Sequence, residues 1–145
     1  MSAPSWSETR AREVIAEATT VEGPMLPVLH ALQTEFGYVP VDALPLIADV
    51  LNVSRAEVQG VVSFYHDFRT EPVRGPVLKI CQAEACQARG VAALVAHARD
   101  RYSAATVEPT FCLGLCASGP AALVDGVPYA RLTPERLDAA VESAR

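Results

Sequence analysis

Four cysteines in two short pairs are the residues of this chain best suited to chemistry. Cys81 and Cys86 are separated by four residues in CQAEAC, Cys112 and Cys116 by three in CLGLC, and twenty-five residues lie between the pairs. Thiolates so spaced can hold a metal ion, share an iron–sulfur cluster or pair as disulfides. The N-terminal MSAPSWSETR lacks the basic-then-apolar order of a secretion signal, so the chain is expected to be cytoplasmic. Ordinary thiols stay reduced there, which favours metal or redox chemistry over structural disulfides.

Each iron of a [2Fe–2S] rhomb takes two thiolates beside its two bridging sulfides, so two closely spaced pairs suit two irons. Structural zinc also accepts four thiolates, although its ribbons and fingers favour gaps of two. A thioredoxin-type switch needs C-x-x-C, which is absent. The plant-type ferredoxin pattern needs a third cysteine three positions after the second, where this chain has Arg89. Rieske ligation needs two histidines close to two cysteines, and none of His30, His66 or His97 is so placed. On spacing alone the iron–sulfur, zinc and inert or disulfide-bonded readings stay open.

Small residues crowd the pairs: Ala83, Ala85, Ala88, Gly90, Gly114, Ala117, Ser118 and Gly119. Small side chains let backbone N–H groups approach sulfur and stabilise its negative charge. Lys79 and Arg89 flank the first loop and could offset the negative charge of a bound cluster, although they read first as solvated surface positions, and Glu84 is expected to point outward.

The elements that must position these thiols change character midway. In the first half, Ser5 or Ser7 can cap a helix carrying Ala11, Val14, Ile15 and Ala18, closed by Gly23-Pro24. Met25, Leu26, Leu29, Leu32 and Phe36 form a second stripe stopped by Gly37. Val41 to Leu51 gives a third helix with Pro45 in its first turn, and Ser54 with Glu57 forms a capping-box pattern ahead of a fourth. Phe64, Tyr65 and Phe68 suit either partner anchors or the core of this arm, and His66 beside them reads as structural.

After the Pro72-to-Pro76 linker, Val77 to Ile80 read as a buried strand running into Cys81. A helix is predicted from about Arg89 to Arg99, then a strand over Ala105 to Phe111 leading to the second pair. Ala121–Val124 and Val127–Arg131 flank Asp125-Gly126, a two-residue hairpin signal, and Thr133 with Pro134 opens a last helix. Such an order fits a small α/β layer. If the two strands that precede the cysteine pairs are neighbours, both loops emerge at one sheet edge and the four sulfurs converge. Glu135, Asp138 and Glu142 of the last helix read as a wet face.

With 145 residues, half of them hydrophobic, the chain is expected to close one core with an appended arm. No apolar run approaches the roughly 18 residues of a membrane span. A net charge of −5 without a basic stripe argues against a nucleic-acid partner.

The motifs FGYVP (Phe36 to Pro40), VQGVVSFYHDF (Val58 to Phe68), KICQAEACQARG (Lys79 to Gly90) and FCLGLCASGPAALVDG (Phe111 to Gly126) carry a resemblance. Together they resemble the thioredoxin-like [2Fe–2S] ferredoxins typified by the 24 kDa subunit of respiratory complex I. The resemblance implies an α/β (α+β) fold, with a short helical bundle over 1–70 for subunit docking and a thioredoxin-like domain over 71–145. It further implies one [2Fe–2S] cluster, with Cys81 and Cys86 holding one iron and Cys112 and Cys116 the other. The chain would then be an electron-transfer subunit without a catalytic site of its own, beside an FMN- and NADH-binding subunit.

The compact stretch between the pairs makes the chain look more like the gamma subunit of soluble NAD-linked formate dehydrogenases, whose catalytic subunit bears a molybdenum cofactor. The same module in complex I or a bidirectional hydrogenase is the alternative, and a zinc-stabilised adaptor without redox activity the remote one.

Overall fold

The computed structural model describes residues 5–73, 75–102 and 106–144. Arg74 of the linker and Ala105, where the second strand is predicted to start, lie outside the described residues. The chain divides into two compact units, Met1–Pro72 and Val73–Arg145. No helix is long and apolar enough to cross a membrane among the described residues.

The first unit is helical: α1 (Glu8–Ala18), α2 (Met25–Phe36), α3 (Ala43–Leu51) and α4 (Arg55–Phe64). Ser7, not Ser5, caps α1, accepting the Arg10 N–H on its Oγ. Gly37 closes α2 at φ 80, a left-handed turn that glycine adopts without strain. The third helix begins two residues later than Val41. At α4 the capping box forms in full: Ser54 Oγ accepts the Glu57 N–H at 3.2 Å, and Glu57 Oε2 accepts the Ser54 N–H at 2.8 Å.

The helical half is more than an appended arm, because it has its own core. Ile15, Leu29, Leu32, Phe36, Ile47 and Val58 are fully buried in it, and Trp6 packs on Phe36 with ring centroids 5.4 Å apart. The three aromatics at the end of α4 and just after it divide: Phe68 is 8% exposed and belongs to this core, whereas Phe64 is 74% exposed and Tyr65 also faces solvent. Gln33 fixes the chain behind them by donating to the Asp67 carbonyl at 2.7 Å and accepting the Arg69 N–H at 2.8 Å.

The second unit is built on a four-stranded sheet of β1 (Val77–Cys81), β2 (Thr106–Thr110), β3 (Ala122–Val124) and β4 (Val127–Tyr129) in the order β2-β1-β3-β4. β1 and β2 run parallel, while β3 is antiparallel to both β1 and β4. Between β1 and β2 lie α5 (Glu84–Ala88) and α6 (Val91–Arg101), and α7 (Pro134–Ser143) ends the unit. Asp125 and Gly126, at φ 48 and 83, make the left-handed turn of the β3–β4 hairpin. Asp125 Oδ1 also accepts the Val77 N–H at 2.8 Å, which ties the hairpin to the start of β1. Leu78, Ile80 and Leu137 are fully buried in this second core, each contributing roughly 1.5–3 kcal/mol.

The acidic face predicted for α7 is interrupted at Asp138. Its carboxylate pairs with His97 Nε2 and Arg101 Nε, each at 3.0 Å, and accepts the Tyr102 hydroxyl, locking α7 onto α6. The partners lie 36 to 41 residues earlier, outside any local pattern.

Candidate metal centre

Parallel pairing of β1 with β2 decides where the thiols meet. The register sets Cys81 opposite Thr110 at the C-terminal ends of both strands, and the Gln82 N–H donates to the Thr110 carbonyl at 2.8 Å. The two cysteine loops therefore leave the sheet at one edge, as neighbouring strands require.

The first loop contains a short helix. One turn of helix, α5, follows Ala83, and the Cys86 N–H donates to the Ala83 carbonyl at 3.0 Å. This turn brings Cys86 back beside Cys81, and both are buried at 2% exposure. The second loop turns at Cys112, whose φ of 66 lies in the left-handed region that non-glycine residues rarely adopt. That conformation costs of order 1–3 kcal/mol and is held by its surroundings. It aims the Cys112 N–H at Cys81 Sγ, 3.3 Å away, and brings Cys112 Sγ to 3.7 Å from Cys116 Sγ. Cys112 and Cys116 are exposed, as is Phe111 beside them at 70%.

All four are free thiols. The 3.7 Å between Cys112 and Cys116 far exceeds a disulfide bond of about 2.05 Å but suits two ligands of one metal. Cys112 with Cys116, and Cys81 with Cys86, form two close pairs at one edge of the sheet. A bridged pair of irons takes thiolates two by two, whereas a lone zinc needs four around one centre.

Electrostatics separates the thiols. Burial pushes Cys81 up, but the backbone N–H groups of Ala83, Cys112 and Leu113 and the Cys86 thiol outweigh it, so its net shift is downward. Burial pushes Cys86 up, and Cys81 and Cys116 add repulsion that the Ala121 N–H only partly offsets. Cys116 is raised chiefly by Cys112. Charge on the thiols of one pair therefore acts on those of the other.

The small residues serve two purposes that sequence alone does not separate. Gly90 and Gly114, at φ 81 and 74, have nothing within 4 Å of an added Cβ, so they are there for conformation. Gly119 is there for space: a Cβ on it would lie 3.2 Å from Cys86 Sγ and 3.1 Å from Arg89 Cδ. Lys79 reaches Glu108 on the neighbouring strand at 4.0 Å, and Glu84 is exposed. A tight donor set of four thiols, lined by backbone N–H groups and a glycine that clears the approach to sulfur, fits a [2Fe–2S] cluster.

Comparison with known proteins agrees. The family described as thioredoxin-like [2Fe–2S] ferredoxin matches residues 11–145. The chain is 31% identical over 127 residues to one of the subunits of the NADH-quinone oxidoreductase of Escherichia coli (strain K12), covering 81% of this chain and 76% of that one. It is 32% identical over 126 residues to the HndA subunit of the NADP-reducing hydrogenase of Solidesulfovibrio fructosivorans, covering 78% and 72%. Among solved structures, a chain of an NAD+-reducing [NiFe]-hydrogenase in its H2-reduced state superposes with a TM-score of 0.67 at 30% identity. That match covers 79% of this chain but 21% of the hydrogenase chain, which extends far beyond it. With two pairs of thiols at one sheet edge and a family match over nearly its whole length, the chain belongs to the thioredoxin-like [2Fe–2S] ferredoxins.

Proposed function

We propose that this chain is the electron-transfer subunit of a cytoplasmic NAD-linked oxidoreductase, with Cys81 and Cys86 holding one iron of a [2Fe–2S] cluster and Cys112 and Cys116 the other. The observation that carries this reading is the meeting of both thiol pairs at the C-terminal ends of the parallel strands β1 and β2. When bound, such a cluster takes up and releases electrons singly. The protein's part is to hold and tune it. The N–H groups of Ala83, Cys112 and Leu113 at Cys81, and of Ala121 at Cys86, stabilise negative charge on sulfur. Burial of Cys81 and Cys86 keeps water from one side, while exposed Cys112 and Cys116 leave the other open to a redox partner.

That partner is proposed to be an FMN- and NADH-binding subunit, with the helical unit as the docking arm. Exposed Phe64 and Tyr65 beside Met25, Val53 and Val61 offer it an apolar surface. For the parent complex, the short stretch of twenty-five residues between Cys86 and Cys112 supports a formate dehydrogenase with a molybdenum-bearing catalytic subunit. A complex I relative or an NAD(P)-linked hydrogenase is supported by the names of the similar proteins.

Iron and acid-labile sulfide analysis of anaerobically purified protein tests the cluster. Two irons and two sulfides per chain, visible absorption and an electron spin resonance signal on reduction are expected; a colourless protein with one zinc refutes the proposal. Co-purification from the native host, followed by formate, hydrogen and quinone assays, identifies the parent complex.

A further inference from the structure

Arg89 ends α5 three residues after Cys86, and its N–H donates to the Cys86 carbonyl at 3.2 Å. The gap left by the missing side chain of Gly119 is bordered on one side by Cys86 Sγ, 3.2 Å from where a Cβ would stand, and on another by Arg89 Cδ at 3.1 Å. The Arg89 stem therefore passes beside Gly119 on the side of the buried sulfur, although the side chain is exposed. No carboxylate pairs with Arg89 among the described residues, whereas Lys79, the other cation flanking this loop, reaches Glu108 at 4.0 Å.

Resting on the cluster reading above, we propose that Arg89 sets the reduction potential of the bound cluster, its stem held beside Cys86 by the space at Gly119 and its charge favouring the reduced state. Reduction adds one electron, delivered by a flavin in the complex or by dithionite in a titration, and so one further unit of negative charge to the site. A positive charge nearby stabilises the reduced form more than the oxidised one. Because the side chain is exposed, the effect is modest and falls with salt. An expected change is about fivefold in the reduced-to-oxidised ratio at a set potential, roughly 40 mV for a one-electron couple at 59 mV per tenfold.

The test uses the full chain, first analysed for iron and sulfide, then titrated with dithionite at low and high ionic strength while visible absorption and spin resonance are followed. Arg89→Gln should move the midpoint negative, Arg89→Glu should move it further, and Arg89→Lys should stay near the parent. The gap between parent and Arg89→Gln should narrow in high salt. An unchanged midpoint in Arg89→Gln, or an equal shift in Arg89→Lys, overturns the role of the charge. Loss of the chromophore in all three variants overturns it too, since the side chain would then build the site and not tune it. Absence of iron and sulfide from the parent protein is a separate result that sinks the cluster reading and this inference together.

Discussion

Replacing Gly119 with alanine adds one methyl group in the most crowded place around the thiols. Its backbone, at φ −67 and ψ 166, is open to any L-residue, so no conformational penalty enters. The cost is steric. The new Cβ would stand 3.2 Å from Cys86 Sγ and 3.1 Å from Arg89 Cδ, against about 3.5–4.0 Å for relaxed contacts. Arg89 is exposed and can swing aside, but Cys86 is buried and held by the α5 turn.

Overpacking a closed site costs about 1–3 kcal/mol, and one yielding neighbour out of two puts this case at about 1–2 kcal/mol. For a unit of this size each kcal/mol lowers the melting temperature by roughly 4–8 °C. Moving Cys86 by a few tenths of an ångström also disturbs a proposed ligand, and metal distances tolerate about 0.2 Å, so iron content should fall as well. Thermal unfolding by circular dichroism and iron analysis measure both effects. Gly60→Ala is the control: nothing lies within 4 Å of its added Cβ inside α4, and it should stabilise by up to about 1 kcal/mol. A Gly119→Ala protein that melts with the parent and keeps its full iron would refute the steric argument.

Serine at any of Cys81, Cys86, Cys112 or Cys116 should weaken or abolish the visible spectrum, since an alkoxide is a harder ligand than a thiolate; unchanged spectra in all four would contradict the ligand assignment. Ser54→Ala removes the hydroxyl that accepts the Glu57 N–H and should cost about 1 kcal/mol by urea unfolding, with α4 fraying first in hydrogen exchange. Asp138→Asn should loosen α7 from α6 at about 1–3 kcal/mol, because three donors converge on that carboxylate. Burial pushes the Asp138 carboxyl up, but Tyr102, His97 and Arg101 outweigh it and hold it below the ordinary carboxylate range. Its stabilisation is thus present above the unfolded-state value and lost as pH falls through the lowered folded value, a dependence that acid titration of the Asn variant should lack.

Local patterns carried much of the fold. The stripe from Met25 to Phe36 with Gly37 behind it, the Ser54–Glu57 box, Asp125-Gly126 and Thr133-Pro134 each marks its element because capping and turn chemistry act within three or four residues. The turn of α5 was hidden by its length, as five residues hold no apolar period to read. Asp138 was misplaced on the solvent face for the opposite reason: helical periodicity describes one helix and is blind to His97, Arg101 and Tyr102 on and just after another. Two cores instead of one were likewise invisible to composition, which counts apolar residues without dividing them.

By itself the sequence determined the type and spacing of the four thiols, and hence the chemistry open to them, because ligand identity and loop length are covalent facts. Tertiary structure alone decided that β1 and β2 lie side by side and parallel, so that loops twenty-five residues apart open at one edge. It also decided which sulfurs are buried, which backbone N–H groups reach them, and that Gly119 clears space for Arg89 at Cys86. Strand pairing and close approach are contacts between distant segments, settled by burial of a shared core and not by any local run of residues.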